Sequence, residues 1–132
     1  MSLLRSTRGI KVVATGRSVR EAVETTRHQP QIFLLDLKMT RTNDAPAIPL
    51  IRTKSPKTQI ILLTGNASGA RVLNGIAQGA RGYLDAKMLR RFLTKAIRAV
   101  AAGESWVSRA MVGKLIDQLA RLMAQDTSPG RA

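Results

Sequence analysis

Three apolar runs in this chain close on a polar residue, and those residues are where chemistry would be sought first. Ile32-Phe33-Leu34-Leu35 ends in Asp36, Ile60-Ile61-Leu62-Leu63 ends in Thr64, and Gly82-Tyr83-Leu84 is followed by Asp85. In an open parallel α/β sheet the carboxyl ends of the strands collect on one rim, and function gathers there. A carboxylate closing such a strand can act as a nucleophile toward a phosphoryl group or as a metal ligand. It can equally cap the following turn by accepting backbone N–H bonds. Residue type alone leaves these alternatives open.

The segments between the runs have a helical period, so the chain is expected to alternate strands and helices around a parallel sheet. Ile10 to Ala14 is expected to form a first short strand, followed by strands at 31–36, 59–64 and 82–84. Runs this continuously apolar suit strands buried on both faces. Ser18 and Glu21 have the spacing of a capping box, and Val19, Ala22, Val23 and Thr26 share a face behind it. Pro30 ends that helix. Residues 47–54 form a short helix whose first turn is challenged by Pro49, which has no N–H to donate. Ala70, Leu73, Ile76 and Ala77 mark the next helix, and Leu89, Phe92, Leu93, Ala96, Ile97 and Val100 mark a longer one with Gly103 as its cap. Ser108 caps a last helix carrying Val112, Leu115, Ile116, Leu119 and Met123. Residues 125–132 read as a frayed tail.

The 132 residues suffice for one core. With no cysteine and a single histidine, His28, thiolate chemistry, disulfides and a His-rich metal site are excluded. His28 reads as a surface residue before Pro30, and Trp106 as a packing anchor between two helices. No GxxxxGK[ST] phosphate loop is present around Gly65 and Gly69. No apolar stretch reaches membrane-spanning length and the first residues carry no leader-like run, so a cytoplasmic location without membrane association is expected. Twenty-two basic against eight acidic residues give a net charge of +14, which favours anionic partners. The basic residues are dispersed, and two Phe, one Trp and one Tyr offer few stacking surfaces for bases. Arg90, Arg91, Lys95, Arg98, Arg109, Lys114 and Arg121 on the last two helices read as a solvated face, or as a docking surface for an acidic domain or a DNA backbone.

Phe33-Leu34-Leu35-Asp36-Leu37-Lys38-Met39 resembles the phosphoacceptor strand of response-regulator receiver domains. Ile61-Leu62-Leu63-Thr64-Gly65 is similar to the fourth receiver strand, and Gly79-Ala80-Arg81-Gly82-Tyr83-Leu84 to the approach to the fifth. Residues 96–104 and Trp106 resemble the last helix and exit of the subfamily in which the receiver precedes a LuxR-type helix-turn-helix. The resemblance implies a flavodoxin-like α/β fold in two-component signalling. It assigns Asp36 as acceptor of a phosphoryl group from a histidine kinase, Thr64 as the switch hydroxyl and Tyr83 as the switch aromatic. It also implies Mg²⁺ held by Asp36 and the backbone carbonyl of Lys38.

The sequence departs from the pattern at three places. Matching Val12-Val13 to the second receiver strand makes the chain begin near Leu3-Leu4, at the end of the first receiver helix, so the fold is expected to be truncated at its N-terminus. Residues 1–20 contain no acid to replace the acidic pair of the missing first strand, and one carboxylate with one carbonyl is a poor cage for Mg²⁺. The family's lysine position holds Ala86, with Lys87 displaced by one residue, and Thr40 stands where proline follows the strand-three methionine.

The expected architecture is a truncated receiver over residues 1–106, a sheet of about four strands flanked by helices, an extra helix over 107–124 serving as linker or dimerisation element, and a tail over 125–132. Strand 10–14 either pairs with strand 32–36 or leaves a gap for a second chain. The expected function is an atypical receiver module that is not an enzyme. It works by contact with a histidine kinase or another signalling protein, as a homodimer, with or without phosphorylation at Asp36. DNA is reached only through a separate helix-turn-helix. The competing reading is a basic nucleic-acid-binding protein on a receiver-like scaffold, with non-specific attraction as its bland form.

Overall fold

The computed structural model describes residues 7–39, 47–65 and 69–126. In chain order the elements are α1 (Val19–Glu24), a 3₁₀ turn (Thr25–His28), β1 (Ile32–Asp36), a 3₁₀ turn (Leu37–Met39), α2 (Ala47–Lys54), β2 (Gln59–Gly65), α3 (Gly69–Ala77), β3 (Gly82–Asp85), α4 (Ala86–Ala101) and α5 (Arg109–Asp126). The strands form one parallel sheet in the order β1-β2-β3. Ile32 to Asp36 pair with Gln59 to Leu63 in unbroken register.

The alternation of side chains along each strand divides the core in two. Leu35, Ile60 and Leu62 point to one face, where they meet Ile48, Ile51, Val72 and Met111. Ile61 and Leu84 point to the other, where Leu93, Ala96, Ile97 and Val100 of α4 cover them. Both faces are therefore apolar, which is why the runs read as continuous rather than alternating.

Local chemistry fixes the helix ends. Ser18 Oγ accepts from Glu21 N–H at 3.1 Å, while the Glu21 carboxylate reaches back to Arg17 N–H at 2.7 Å. That is the capping box, with its return bond made one residue earlier than usual. Pro49 is accommodated because it is the third residue of α2, where an N–H has no intrahelical partner. Gly75 lies where α3 crosses β2, and a Cβ there would stand 2.5 Å from Leu62 Cδ1. The helix can sit this close to the sheet only with glycine at that crossing.

The expected strand at Ile10–Ala14 is not formed, so the sheet has three strands among the described residues rather than four. Ile10 and Val12 do turn inward and pack with the α4-side cluster, and Lys11 and Val13 face out. Arg98 of α4 also holds the Arg8 carbonyl at 3.0 Å. Side-chain burial and a tie to α4 thus position the segment without a ladder to β1. An alternation of apolar and polar residues specifies which face is buried. It does not supply a neighbouring strand.

Met111 and Leu115 of α5 join the core on the α3 side. Residues 40–46, the first residues with Leu3-Leu4, and most of the expected tail, from residue 127, fall outside the described residues.

Candidate functional site at the carboxyl rim of the sheet

Asp36, Thr64 and Asp85 all reach the same rim of the sheet, as the strand ends require. Their side chains have separate tasks there. Asp36 is exposed, and its Oδ1 accepts from Lys38 N–H at 2.9 Å. The carboxylate closes an Asx-type turn that directs the chain from β1 into the 3₁₀ turn. Asp85 has the parallel role at the next helix: its Oδ1 accepts from Met88 N–H at 2.8 Å and caps α4.

Thr64 is buried and occupies an irregularity in the β2–β3 register, between the pairs Leu63–Leu84 and Gly65–Asp85. Its hydroxyl donates to the Leu84 carbonyl at 3.3 Å. The hydroxyl thus serves the ladder where the two strands slip past each other.

Tyr83 is half-buried, with its ring against the α3-side core. Its hydroxyl donates to Ser108 Oγ at 2.8 Å and accepts from Ser108 N–H at 3.3 Å. Ser108 Oγ in turn accepts from Met111 N–H at 3.1 Å, so Ser108 is the N-cap of α5. The aromatic residue of β3 is bonded to the start of the last helix.

Lys87 lies in the first turn of α4, exposed, and its side chain makes no hydrogen bond or ion pair to another described residue. Lys38 contributes its N–H to Asp36 and its side chain is exposed. Two residues enter this region that the sequence did not single out for it. Arg71 of α3 donates to the Leu37 carbonyl at 3.0 Å and pins the turn after Asp36. Ser108 was legible as a helix cap, but nothing in its local sequence announces Tyr83, 25 residues away.

The outer edge of β3 is closed by the segment after α4. Trp106 forms an isolated parallel bridge with Gly82, through Tyr83 N–H to Trp106 O at 3.1 Å and Trp106 N–H to Arg81 O at 3.0 Å. A Cβ on Gly82 would lie 2.9 Å from Trp106 Cβ, so this approach also depends on glycine. The Trp106 ring stands 6.1 Å from that of Phe92 and ties the segment to α4.

Asp36 and the Lys38 carbonyl are the expected Mg²⁺ ligands. The ion takes a near-octahedral set of oxygens. Among the described residues no three acidic or histidine side chains come together, and Asp36 Oδ1 is already engaged by Lys38 N–H. Nor is any helix of the described residues long and apolar enough to cross a membrane.

Known proteins are similar to this chain in sequence and in fold. The transcriptional regulatory protein LnrK of Bacillus subtilis (strain 168) is 27% identical over 121 residues, covering 91% of this chain and 55% of its own. The uncharacterized transcriptional regulatory protein YxjL of the same organism is 34% identical over 97 residues, covering 74% of this chain and 44% of its own. The chain thus spans about half the length of the curated relatives it matches. Among solved structures, the two-component response regulator of the LuxR family from Aurantimonas sp. SI85-9A1 superposes with a TM-score of 0.72 at 24% identity, over 90% of this chain and 86% of that one. Residues 1–98 match the response regulator receiver domain, and together with the parallel sheet and its rim of Asp36, Thr64 and Tyr83 this makes the chain a member of the response-regulator receiver family.

Proposed function

We propose that this receiver domain signals through protein–protein contact without needing a phosphoryl group on Asp36. The observation that carries the reading is the Asp36 carboxylate itself. Among the described residues it is the acid of the β1 rim, and it caps Lys38 N–H. A phosphoacceptor needs counter-charge to neutralise the transferred group, and among the described residues Asp36 has neither an ion-pair partner nor two further acids beside it to hold a cation. Lys87, one residue from the position of the family's lysine, stands unengaged at the start of α4.

On this reading the rim residues are structural. Asp36 sets the turn after β1, Thr64 mends the β2–β3 ladder, and Tyr83 holds the N-cap of α5. The surface of the helices then carries the signal. The partner is a histidine kinase or another signalling protein, and the chain acts in the cytoplasm as a module rather than as an enzyme. Regulation of transcription would belong to a longer protein of which these residues are the receiver. Nucleic-acid binding by the domain itself has less support, because the basic residues are dispersed and few aromatic rings are available for stacking.

The test is the intact mass of the folded chain after incubation with Mg²⁺ and acetyl phosphate, beside Asp36→Asn. The expected result is no change in either protein. A gain of about 80 daltons in the parent chain that is lost in the variant would establish an aspartyl phosphate and overturn the reading.

A further inference from the structure

We infer that the outward face of α4 docks an acidic helix of a partner protein, through a stripe of Lys87, Arg91, Lys95 and Arg98. The four are exposed and step by four, four and three residues along the helix. At about 100° per residue they fall within about 80° of one another, opposite the row of Leu93, Ala96, Ile97 and Val100 that covers the sheet. The stripe is about 16 Å long, in steps of about 5–6 Å.

Gathering charge in this way costs the helix. α4 carries five cations and no acid in its 16 residues. Lys87 and Arg91, Arg91 and Lys95, and Lys95 and Arg98 are like charges at the spacings where side chains on a helix meet, which destabilises it. Lys87 also sits at the end where the helix dipole disfavours a cation. Helices α1 and α5 mix their charges instead. Arg20 pairs with Glu24 at 3.6 Å in α1, and Asp117 lies between Lys114 and Arg121 on α5. Of the acids that flank α4, Asp85 caps it through Met88 N–H and Glu104 follows its end, and among the described residues neither pairs with the stripe. Arg98 holds the Arg8 carbonyl, a neutral acceptor that leaves its charge uncompensated. Solubility calls for charge on the surface, but not for four cations in one line.

Carboxylates at every fourth position of a facing helix recur in the same steps and would meet these cations in register. A second copy carries the same stripe and is repelled. A phosphate backbone would use the charge but not Met88, which is 47% exposed in the first turn beside Lys87 and Arg91, whereas protein interfaces favour both Met and Arg. No aromatic residue belongs to the stripe to stack on a base. That the partner is a protein rests on the proposal that helix surfaces carry the signal. Docking is measured without a phosphodonor, so its failure and the phosphorylation of Asp36 are separate results.

The experiment is fluorescence anisotropy of the full chain with a labelled peptide of about 16 residues, built on alanine and glutamine to be helical, with glutamate at every fourth position. At about 0.15 M salt the expected Kd is below about 100 µM, and glutamine in place of the glutamates should abolish binding. Arg91→Glu together with Lys95→Glu should weaken it at least about tenfold, and a peptide with lysine at every fourth position should bind that variant more tightly than the parent chain. Lys57→Glu together with Arg121→Glu removes the same charge from other surfaces and should change the Kd by less than about twofold. Lys95→Glu alone turns two like-charge contacts into opposite ones and should leave Tm unchanged or raise it. A Kd above about 1 mM, equal weakening by the two double variants, or a lowered Tm for Lys95→Glu would each overturn the inference. So would a labelled DNA duplex of about 16 base pairs that loses about tenfold in affinity with the stripe variant and not with the control, because the stripe would then serve nucleic acid.

Discussion

Helices α4 and α5 follow each other in the chain and are written in much the same apolar code. Leu89, Phe92, Leu93, Ala96, Ile97 and Val100 recur along α4, and Val112, Leu115, Ile116, Leu119 and Met123 recur along α5. Their environments differ. Leu93, Ala96 and Val100 are fully buried against Ile61 and Leu84, whereas α5 buries only Met111 and half-buries Leu115. The repeat states that a face needs covering and leaves open what will cover it. For α4 it is the sheet. For most of α5 nothing in the described domain covers it.

That contrast predicts unequal costs for similar truncations. Leu93→Ala should be the most damaging, because Leu93 is wholly removed from water and its neighbours sit on a rigid sheet that cannot collapse into the space. The expected loss is about 2–5 kcal/mol, with a fall in Tm on the order of 10 °C in thermal denaturation. A loss under about 1 kcal/mol would mean that α4 is as loosely held as α5, and the contrast would fail.

Met111→Ala is the matching test on α5. Met111 is 5% exposed and belongs to the cluster with Leu35, Ile48 and Val72, but it enters from the side of a helix that is otherwise solvated. The expected cost is about 2 kcal/mol, at the lower end of the range for such truncations. Most of it should appear as loosening of α5 rather than of the sheet. Amide exchange would show this as faster exchange along residues 111–118, with β2 protected as before.

Much of this arrangement was legible in the residues, and the exceptions have identifiable causes. The strands at 32–36, 59–65 and 82–85 could be read because a strand buried on both faces leaves an unbroken apolar run. Ile10–Ala14 misled for the same physical reason in reverse. Its alternation does mark burial, since Ile10 and Val12 face the core, but a ladder needs a neighbour, and no local pattern encodes one. At the rim, the positions of Asp36, Thr64 and Tyr83 could be read. What their polar atoms bond to could not. The partners of Asp36 and Asp85 are backbone N–H groups two and three residues on, which any turn would offer. Arg71 reaches Leu37 across 34 residues and Ser108 reaches Tyr83 across 25, distances that only the folded chain closes.

The smallest expected effect is also the one that joins the two helices through the sheet. Tyr83 precedes the strand residue Leu84 and the α4 cap Asp85, yet its hydroxyl belongs to the cap of α5. Tyr83→Phe keeps the ring in the core and removes only the two bonds its hydroxyl makes to Ser108, the shorter to Oγ and the longer from N–H, so the expected cost is about 0.5–1.5 kcal/mol. If the hydroxyl acts through Ser108, then Ser108→Ala should cost a similar amount, and the double variant should cost less than the two together. Exchange should quicken at the amides of residues 108–112 and stay unchanged along Leu93–Val100. Additive effects, or quickened exchange in both helices, would mean that Tyr83 merely packs, and that the start of α5 is set by Met111 and not by a hydrogen-bonded link to β3.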